Sequence, residues 1–355
     1  MTAVKVLTSP SVPLLLAAAA VVVWLVLYLC FGREHREADA PTYVREPPTD
    51  RPPTEVTMLL GWGELDARAL TATVMDLVRR GALRLLVAPE RGTSGNSLVR
   101  APQENGYVIE RVRGFSGPLR QSELYLIDDI LFGGVDGDRV ELGELEGRTR
   151  GDTRAAMKRF SRWVQLAKKE SKQFRVVEPW SYVAFQLCVV LGLLMAAYSA
   201  ERGVLSQSPA FALSGAAGLA LAVAGPSVMR RTAEAAHELH QWQAFRSYLN
   251  DFSRLRESQP PAVAIWEKYL VYAVTFGVAR GVLSELEGLS PELPEKDSLG
   301  SSLWHWATSG DRRSLIEAAD RALFCLPTPV SAAKSPSTPD QSDHGGGSEG
   351  GGGMG

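Results

Sequence analysis

Residues 180–200 read WSYVAFQLCVVLGLLMAAYSA, and after ERGVLSQSP at 201–209, residues 210–229 read AFALSGAAGLALAVAGPSVM. No charge occurs between Glu178 and Glu201, or between Arg202 and Arg230. About 20 apolar residues rising 1.5 Å each cover the roughly 30 Å of bilayer hydrocarbon. Each block therefore reads as a transmembrane helix, and the connection at 201–209 is short enough to make them an antiparallel hairpin. Trp180 and Tyr198 stand near the ends of the first block, where amphipathic rings favour the interface.

A third block lies upstream, at 12–31, in a stretch free of charge between Lys5 and Arg33. A cleaved signal peptide has a shorter apolar core, of about 7–15 residues, and a small-residue cleavage site. Neither feature is present, and Leu29 is too bulky for the position before a lipoprotein cysteine at Cys30. The block reads as an uncleaved anchor. Overall composition conceals this pattern: the 355 residues are 45% hydrophobic with net charge −2, values typical of a globular chain.

Basic residues orient the spans. Arg33, Arg36, Lys168, Lys169, Lys172, Arg175, Arg230 and Arg231 flank one side, and Lys5 and Arg202 the other. Positive flanks stay in the cytoplasm. The expected layout puts residues 1–11 outside, 12–31 as the first span, and a Pro-rich linker at 32–53 inside. A cytosolic domain at 54–175 follows, then spans at 180–200 and 210–229 around the external turn at 201–209. A cytosolic helical region at 230–326 and a disordered Gly-rich tail at 327–355 complete the chain. The fold class is a mainly α membrane protein with a small α+β domain.

Within 54–175 the reading is finer. Thr54 is a plausible cap for a helix reaching Leu60, and Gly61-Trp62-Gly63 breaks it. Asp66 caps a second helix, whose Leu70, Val74, Leu77 and Val78 recur at helical spacing. Gly81 is placed to end it in the left-handed conformation. Residues 83–87 and 107–112 read as strands around a loop at 89–106. Helix, helix, strand, loop, strand is the winged-helix order. Two further helices are expected near 120–131 and 152–172, the latter with Phe160, Val164 and Ala167 on one face. Its basic end, Lys168, Lys169 and Lys172, is expected near anionic head groups, where each charge is worth about 1 kcal/mol.

A winged helix suggests DNA, whose affinity rests mainly on phosphate neutralisation. Residues 54–170 hold 18 Lys and Arg against 17 Asp and Glu. The would-be recognition helix offers Arg68, Arg79 and Arg80, but also Asp66 and Asp76. The balance favours a protein partner over DNA.

The run from Asp66 to Leu77 with Arg80-Gly81, the stretch from Phe245 to Ser253, and the stretch from Pro260 to Ala273 carry a resemblance. With the glycine-rich terminus, they resemble the YciQ-like predicted bacterial membrane proteins, which share a domain of unknown function (DUF 2207). The resemblance implies a membrane location and a cytosolic winged-helix-like region. It implies no reaction and no functional residues. Typical members carry a signal peptide and a β-rich extracytoplasmic domain before the first span. About 11 residues precede that span here, which reads either as a short form or as a misassigned start codon, and no function is rested on outside sensing.

In the second half, Gly192, Ala196 and Ala200 fall at four-residue spacing, as do Ser214, Gly218 and Ala222. Small residues at this spacing let helices approach closely in lipid, on each other or on a partner. Neither span carries an ionisable residue, which argues against a transport path. Leu239, Phe245, Leu249 and Phe252 lie near one helical face. Residues 262–286 form an aromatic-rich helix interrupted by Glu267 and Lys268, too short for a span and expected in a bundle or at the interface. A last helix is expected at 311–326.

Candidate chemistry is sparse. His237 and His240 share a face with Glu234, but no third strong ligand is near in sequence. Asp128, Asp129, Asp136 and Asp138 surround Gly133-Gly134, yet a calcium loop needs a bidentate Glu at a fixed distance. Trp304 and Trp306 flank His305 and read as packing. Cys30, Cys188 and Cys325 have no metal or redox spacing. No P-loop, nucleophile elbow or zinc protease motif occurs. No catalytic, cofactor or metal residue is assigned, and the expected partners are the bilayer and a protein.

A reporter active only outside the cytoplasm should work when fused within 201–209 and stay silent after Arg33, after Arg175 or at the C-terminus. Activity after Arg175 would reverse the layout.

Overall fold

The computed structural model describes residues 11–33, 43–87, 107–172, 174–206, 209–251, 263–279 and 281–282. It is mostly helical, with a small sheet and three helices long and apolar enough to cross a membrane. The expected helix at 311–326, the tail from 327, Cys325 and the Trp304–Trp306 group lie outside the described residues.

The three long apolar helices are α1 (Ser11–Phe31), α7 (Pro179–Ser206) and α8 (Pro209–Ala224), the last continued by a 3₁₀ turn over Gly225–Val228. Their side chains point outward: Leu15, Leu194 and Val223 are 67%, 62% and 80% exposed. A helix apolar on all sides needs a hydrocarbon solvent.

The small residues of the hairpin pack on each other. A Cβ on Gly192 would sit 2.5 Å from the Gly218 carbonyl oxygen, and one on Gly218 would sit 2.6 Å from that of Gly192. Ala196 and Ala222 fill the flanks of this crossing. Below it, the buried hydroxyls of Ser199 and Ser214 hydrogen-bond at 2.8 Å. The α1 helix packs mainly against α8, with Trp24 Nε1 donating to Ser227 Oγ at 3.2 Å.

Outside the hairpin, α2 (Pro53–Leu60) and α3 (Ala67–Arg79) open the polar body. Helix α2 starts on Pro53, whose fixed φ suits the first helical position, and Thr54 is buried instead of capping it. Asp66 does cap α3, accepting from Ala69 N at 3.3 Å, and Gly81 ends it at φ 81°. Strands β1 (Leu83–Val87), β2 (Tyr107–Arg111) and β3 (Arg139–Glu141) form an antiparallel sheet in that order, with Leu85 opposite Ile109 and Ile109 opposite Val140.

The helix expected near 120–131 is α4 (Gln121–Tyr125), which widens into a π-helix over Leu126–Leu131. Arg148 donates to the Leu131 and Gly133 carbonyls that this wide turn leaves free, at 2.8 and 2.6 Å. Helix α5 (Leu142–Gly151) leads to α6 (Thr153–Glu170), which Asp152 caps through Ala155 N at 2.9 Å. After the hairpin come α9 (Ala233–Asn250) and α10 (Val263–Phe276).

All these elements share one core. It runs continuously from Val56 and Leu59 through Leu70, Leu77, Tyr107, Leu126 and Trp163 to Trp242, Phe245, Tyr272 and Phe276. Segments on both sides of the hairpin thus build a single body. Trp242 lies at its centre, 4.8 Å from the Tyr272 ring and 6.1 Å from Phe245. Residues 43–52 are laid along α10: Tyr272 Oη donates to the Arg51 carbonyl at 2.8 Å, Tyr269 Oη to that of Arg45, and Lys268 pairs with Asp50.

Gly192→Val should lower the unfolding midpoint of the detergent-solubilised protein, at a cost of about 1–3 kcal/mol for overpacking. Gly203→Ala, where an added Cβ meets only Phe211 Cβ at 3.6 Å, should leave the midpoint unchanged. Equal effects of the two substitutions would contradict the packing described.

Candidate functional site

The hairpin enters and leaves the body through one crossing. Residues preceding α7 and following α8 pair as an antiparallel bridge, Val177 with Arg231. Glu178 N donates to the Arg230 carbonyl at 2.9 Å, and Thr232 N to that of Val176 at 3.1 Å. Thr232 Oγ1 adds a bond to the Arg175 carbonyl at 2.8 Å. The fully buried Ser181 hydroxyl donates to the Glu178 carbonyl at 2.8 Å and accepts from Arg230 N at 3.1 Å. Arg230 closes the outer edge on Glu178, at 2.6 Å from Nε.

Arg231 points into the body. It is 6% exposed, and its Nε and Nη2 donate to the Leu59 and Leu60 carbonyls at 3.3 and 3.4 Å. A cation here suits the negative end of α2. Its guanidinium also stacks 3.6 Å from the Trp62 ring centre. Trp62 has φ 57°, the one non-glycine residue in the left-handed region among the described residues.

Beside this crossing lies a polar cleft of about 560 Å³, lined by Arg51, Glu55, Arg120, Glu170, Ser171, Phe174 and Glu234. Its charges are largely committed. Glu55, 8% exposed, accepts from Arg51 at 2.9 Å and Arg120 at 2.8 Å. Arg51 Nε also reaches Glu238 Oε1 at 2.5 Å, while Thr49 and the Trp242 indole donate to the same oxygen at 3.0 and 3.4 Å. Burial opposes the charge on Arg51, but the bonds to Glu238 and Glu55 outweigh it and raise its pKa. The guanidinium lies 3.9 Å from the Phe174 ring centre. Glu170 accepts from Ser122 N and Oγ at 2.9 and 2.5 Å. Two arginines against three glutamates leave the lining at net −1. A second chain of ions continues outward: Asp76 holds Arg79 and Arg80 at 2.8 and 2.9 Å, and Arg80 reaches Glu123 at 2.5 Å.

The network joins four separate pieces of chain: the segment before α2, α4, the end of α6 and the start of α9. Its chemistry is that of a fastener. Glu55, Glu170 and Glu238 are each held by guanidinium or hydroxyl donors. On α10, burial pushes the Tyr269 and Tyr272 phenols well above their ordinary range and keeps them as neutral donors to the carbonyls of residues 45 and 51.

The residues singled out from sequence are dispersed. His237 bonds Gln241 at 3.0 Å, His240 turns Nδ1 into the body, and Glu234 lines the cleft. Asp128, on the π-helix, pairs with Arg111 at 2.6 Å, and Asp138, just before β3, pairs with Arg113. Among the described residues, no three His, Cys, Asp or Glu side chains are placed to hold a metal. Cys188 is buried inside the hairpin and Cys30 is exposed on α1. Sequence reasoning missed Arg51, Glu55, Arg120, Glu238 and Arg231. The available signal was a charge at a core-facing position, as with Glu238 one turn before Trp242.

The arrangement defines a class: a membrane protein whose polar body is built around the two ends of an apolar hairpin. The chain belongs to the DUF2207 family, since the model of the predicted membrane protein (DUF2207) C-terminal domain matches residues 40–286. That stretch contains the whole shared core and the hairpin, and begins after α1. Comparison with curated proteins and with solved structures gives no match.

Glu238→Ala strips the carboxylate that holds Arg51 in the body. Arg51 is a quarter exposed and keeps Glu55, so the cost is that of a lost charged hydrogen bond, about 1–3 kcal/mol. Chemical denaturation of the solubilised protein should show a loss of that order, and Arg51→Ala/Glu238→Ala should lose less than the sum of the single variants. Strict additivity would mean that the pair does not interact.

Proposed function

We propose that this protein is a non-enzymatic membrane-anchored scaffold or regulator, presenting a winged-helix-like domain to the cytoplasm for a protein partner. The N-terminus is outside and the C-terminus inside, as the basic flanks direct.

The observation that carries this reading is the burial of α3. In a winged helix that reads DNA, this helix would enter the major groove. Here residues 69–78 are buried throughout, and α10 packs along the helix. Its arginines are also committed: Arg68 to Asp66, Arg79 to Asp76, and Arg80 to Asp76 and Glu123. A helix covered on all sides by its own chain is a structural post. The order α2, α3, β1, β2 supports a winged-helix ancestry, while the covering by α10 argues for a changed use. The separation of His237 and His240 from one another's partners, and the engagement of Glu55 and Glu170 by arginine and serine donors, support a non-enzymatic role.

The alternative is a membrane-tethered DNA-binding regulator. On the scaffold reading, full-length protein in detergent should retain DNA weakly and without sequence preference. Crosslinking in cells, followed by capture of the tagged full chain, should recover a specific protein. Tight retention of particular DNA sequences, falling steeply with salt, would replace the scaffold reading with the alternative. Capture that recovers nothing above background would remove the scaffold reading.

A further inference from the structure

The α6 helix has two faces of opposite character. Ala156, Phe160, Trp163 and Ala167 are buried in the core. On the other side, Arg154, Lys158, Arg162, Lys169, Lys172 and Arg175 are exposed, the last two beyond the end of the helix. At about 100° per residue, Arg154, Lys158, Arg162 and Lys169 fall within about a quarter-turn of one another, opposite the buried face. Eighteen residues at 1.5 Å give α6 a length of about 27 Å. None of these six cations forms a salt bridge among the described residues. The acid nearest the end of the stripe, Glu170, is turned inward onto Ser122. In a chain of net charge −2, this is a pronounced segregation of positive charge.

The stripe leads to the bilayer. Lys172 and Arg175 precede α7, which begins at Pro179 with Trp180 71% exposed beside it. A second surface meets the same place. Trp62, held left-handed and 36% exposed, stacks on Arg231 at the exit of the hairpin. Glu64, two residues on, binds Lys168 in the last turn of α6 at 2.7 Å. Strained backbone is costly and persists where its surroundings hold it. Here it keeps an indole next to the membrane entry, a position that indoles favour.

We infer that the exposed face of α6, from Arg154 to Arg175, is a docking surface for the anionic phospholipid head groups of the leaflet that α7 enters, with Trp62 seated at the same interface. The inference rests on the hairpin crossing the bilayer and is independent of which protein the scaffold holds. Anionic lipid attracts juxtamembrane cations within a Debye length of the surface. The stripe would lay the polar body down on the membrane and fix its tilt.

The test uses full-length protein in nanodiscs of phosphatidylcholine alone, and of equal parts phosphatidylcholine and phosphatidylglycerol. Successful insertion into both discs checks the membrane reading separately. Phosphatidylglycerol should raise the unfolding midpoint by at least about 2 °C, the scale on which 1 kcal/mol moves a chain of this size. Arg154→Gln/Lys158→Gln/Arg162→Gln should lose more than half of that rise while keeping the phosphatidylcholine midpoint, because these side chains are exposed and unbridged. No rise in the wild type, or an equal rise in the variant, overturns the proposal. If the variant proves unstable in phosphatidylcholine, the wild type decides: the rise should vanish between about 0.01 M and 1 M salt, as the screening length drops from roughly 30 to 3 Å. A rise that survives high salt also overturns it. Variant-sensitive binding of RNA or an acidic peptide, with no lipid-dependent rise, would assign the stripe to that partner.

Discussion

The described parts of this molecule are arranged around one crossing, where the segment before α7 and the segment after α8 pair as a single β-bridge. Hairpin geometry forces the pairing. Because α7 and α8 lie in contact from Gly192 to Gly218, their polar ends emerge side by side. Their freed backbone groups then find each other, at Glu178 to Arg230 and Val176 to Thr232. Leaving such groups unpaired at the edge of an apolar region would cost several kcal/mol each. Arg231 then extends this junction into the body, bonding the last carbonyls of α2. The apolar and polar halves are joined by backbone hydrogen bonds and one buried cation.

A body assembled from segments on both sides of a hairpin has little covalent continuity near its centre. The ionic network compensates for this. Glu55 and Glu238 come from opposite sides of the hairpin, and Arg51 binds both. Buried pairs of this kind are poor sources of net stability, because desolvation offsets most of the attraction. Their value lies in geometry. A guanidinium with two buried carboxylates on it accepts few alternative arrangements, so α9 is fixed in register against α2. The aromatic cluster around Trp242 supplies the apolar burial, and the ions decide how the elements meet.

Much of this was legible in sequence. Charge-free blocks of about 20 residues have one physical reading, and all three blocks form apolar helices. The Asp66 cap, the Gly81 stop and the strand at 83–87 follow from local chemistry and appear where that chemistry puts them, and the strand expected at 107–112 ends one residue earlier, at Arg111. Small residues at four-residue spacing announced a close helix crossing but not its partner, which is the other arm of the hairpin. Shorter or weaker patterns were silent. The three residues of β3 are too few to alternate, and α5 carries Gly143, Gly147 and Gly151, which mask its helical period. The ionic network was hidden for a different reason. Periodicity says that a face is buried, never against what, and Arg51 finds Glu238 across 187 residues.

The cover that α10 lays over α3 is made long after the helix it covers. About 200 residues separate the two helices. At ribosomal rates of roughly 5–20 residues per second, α3 waits about 10–40 s for its lid. In that interval both arms of the hairpin are synthesised, so the whole hairpin exists before its cover does. Until α10 is made, the side of α3 that it will cover stays bare, and the young chain is open to chaperones and proteases.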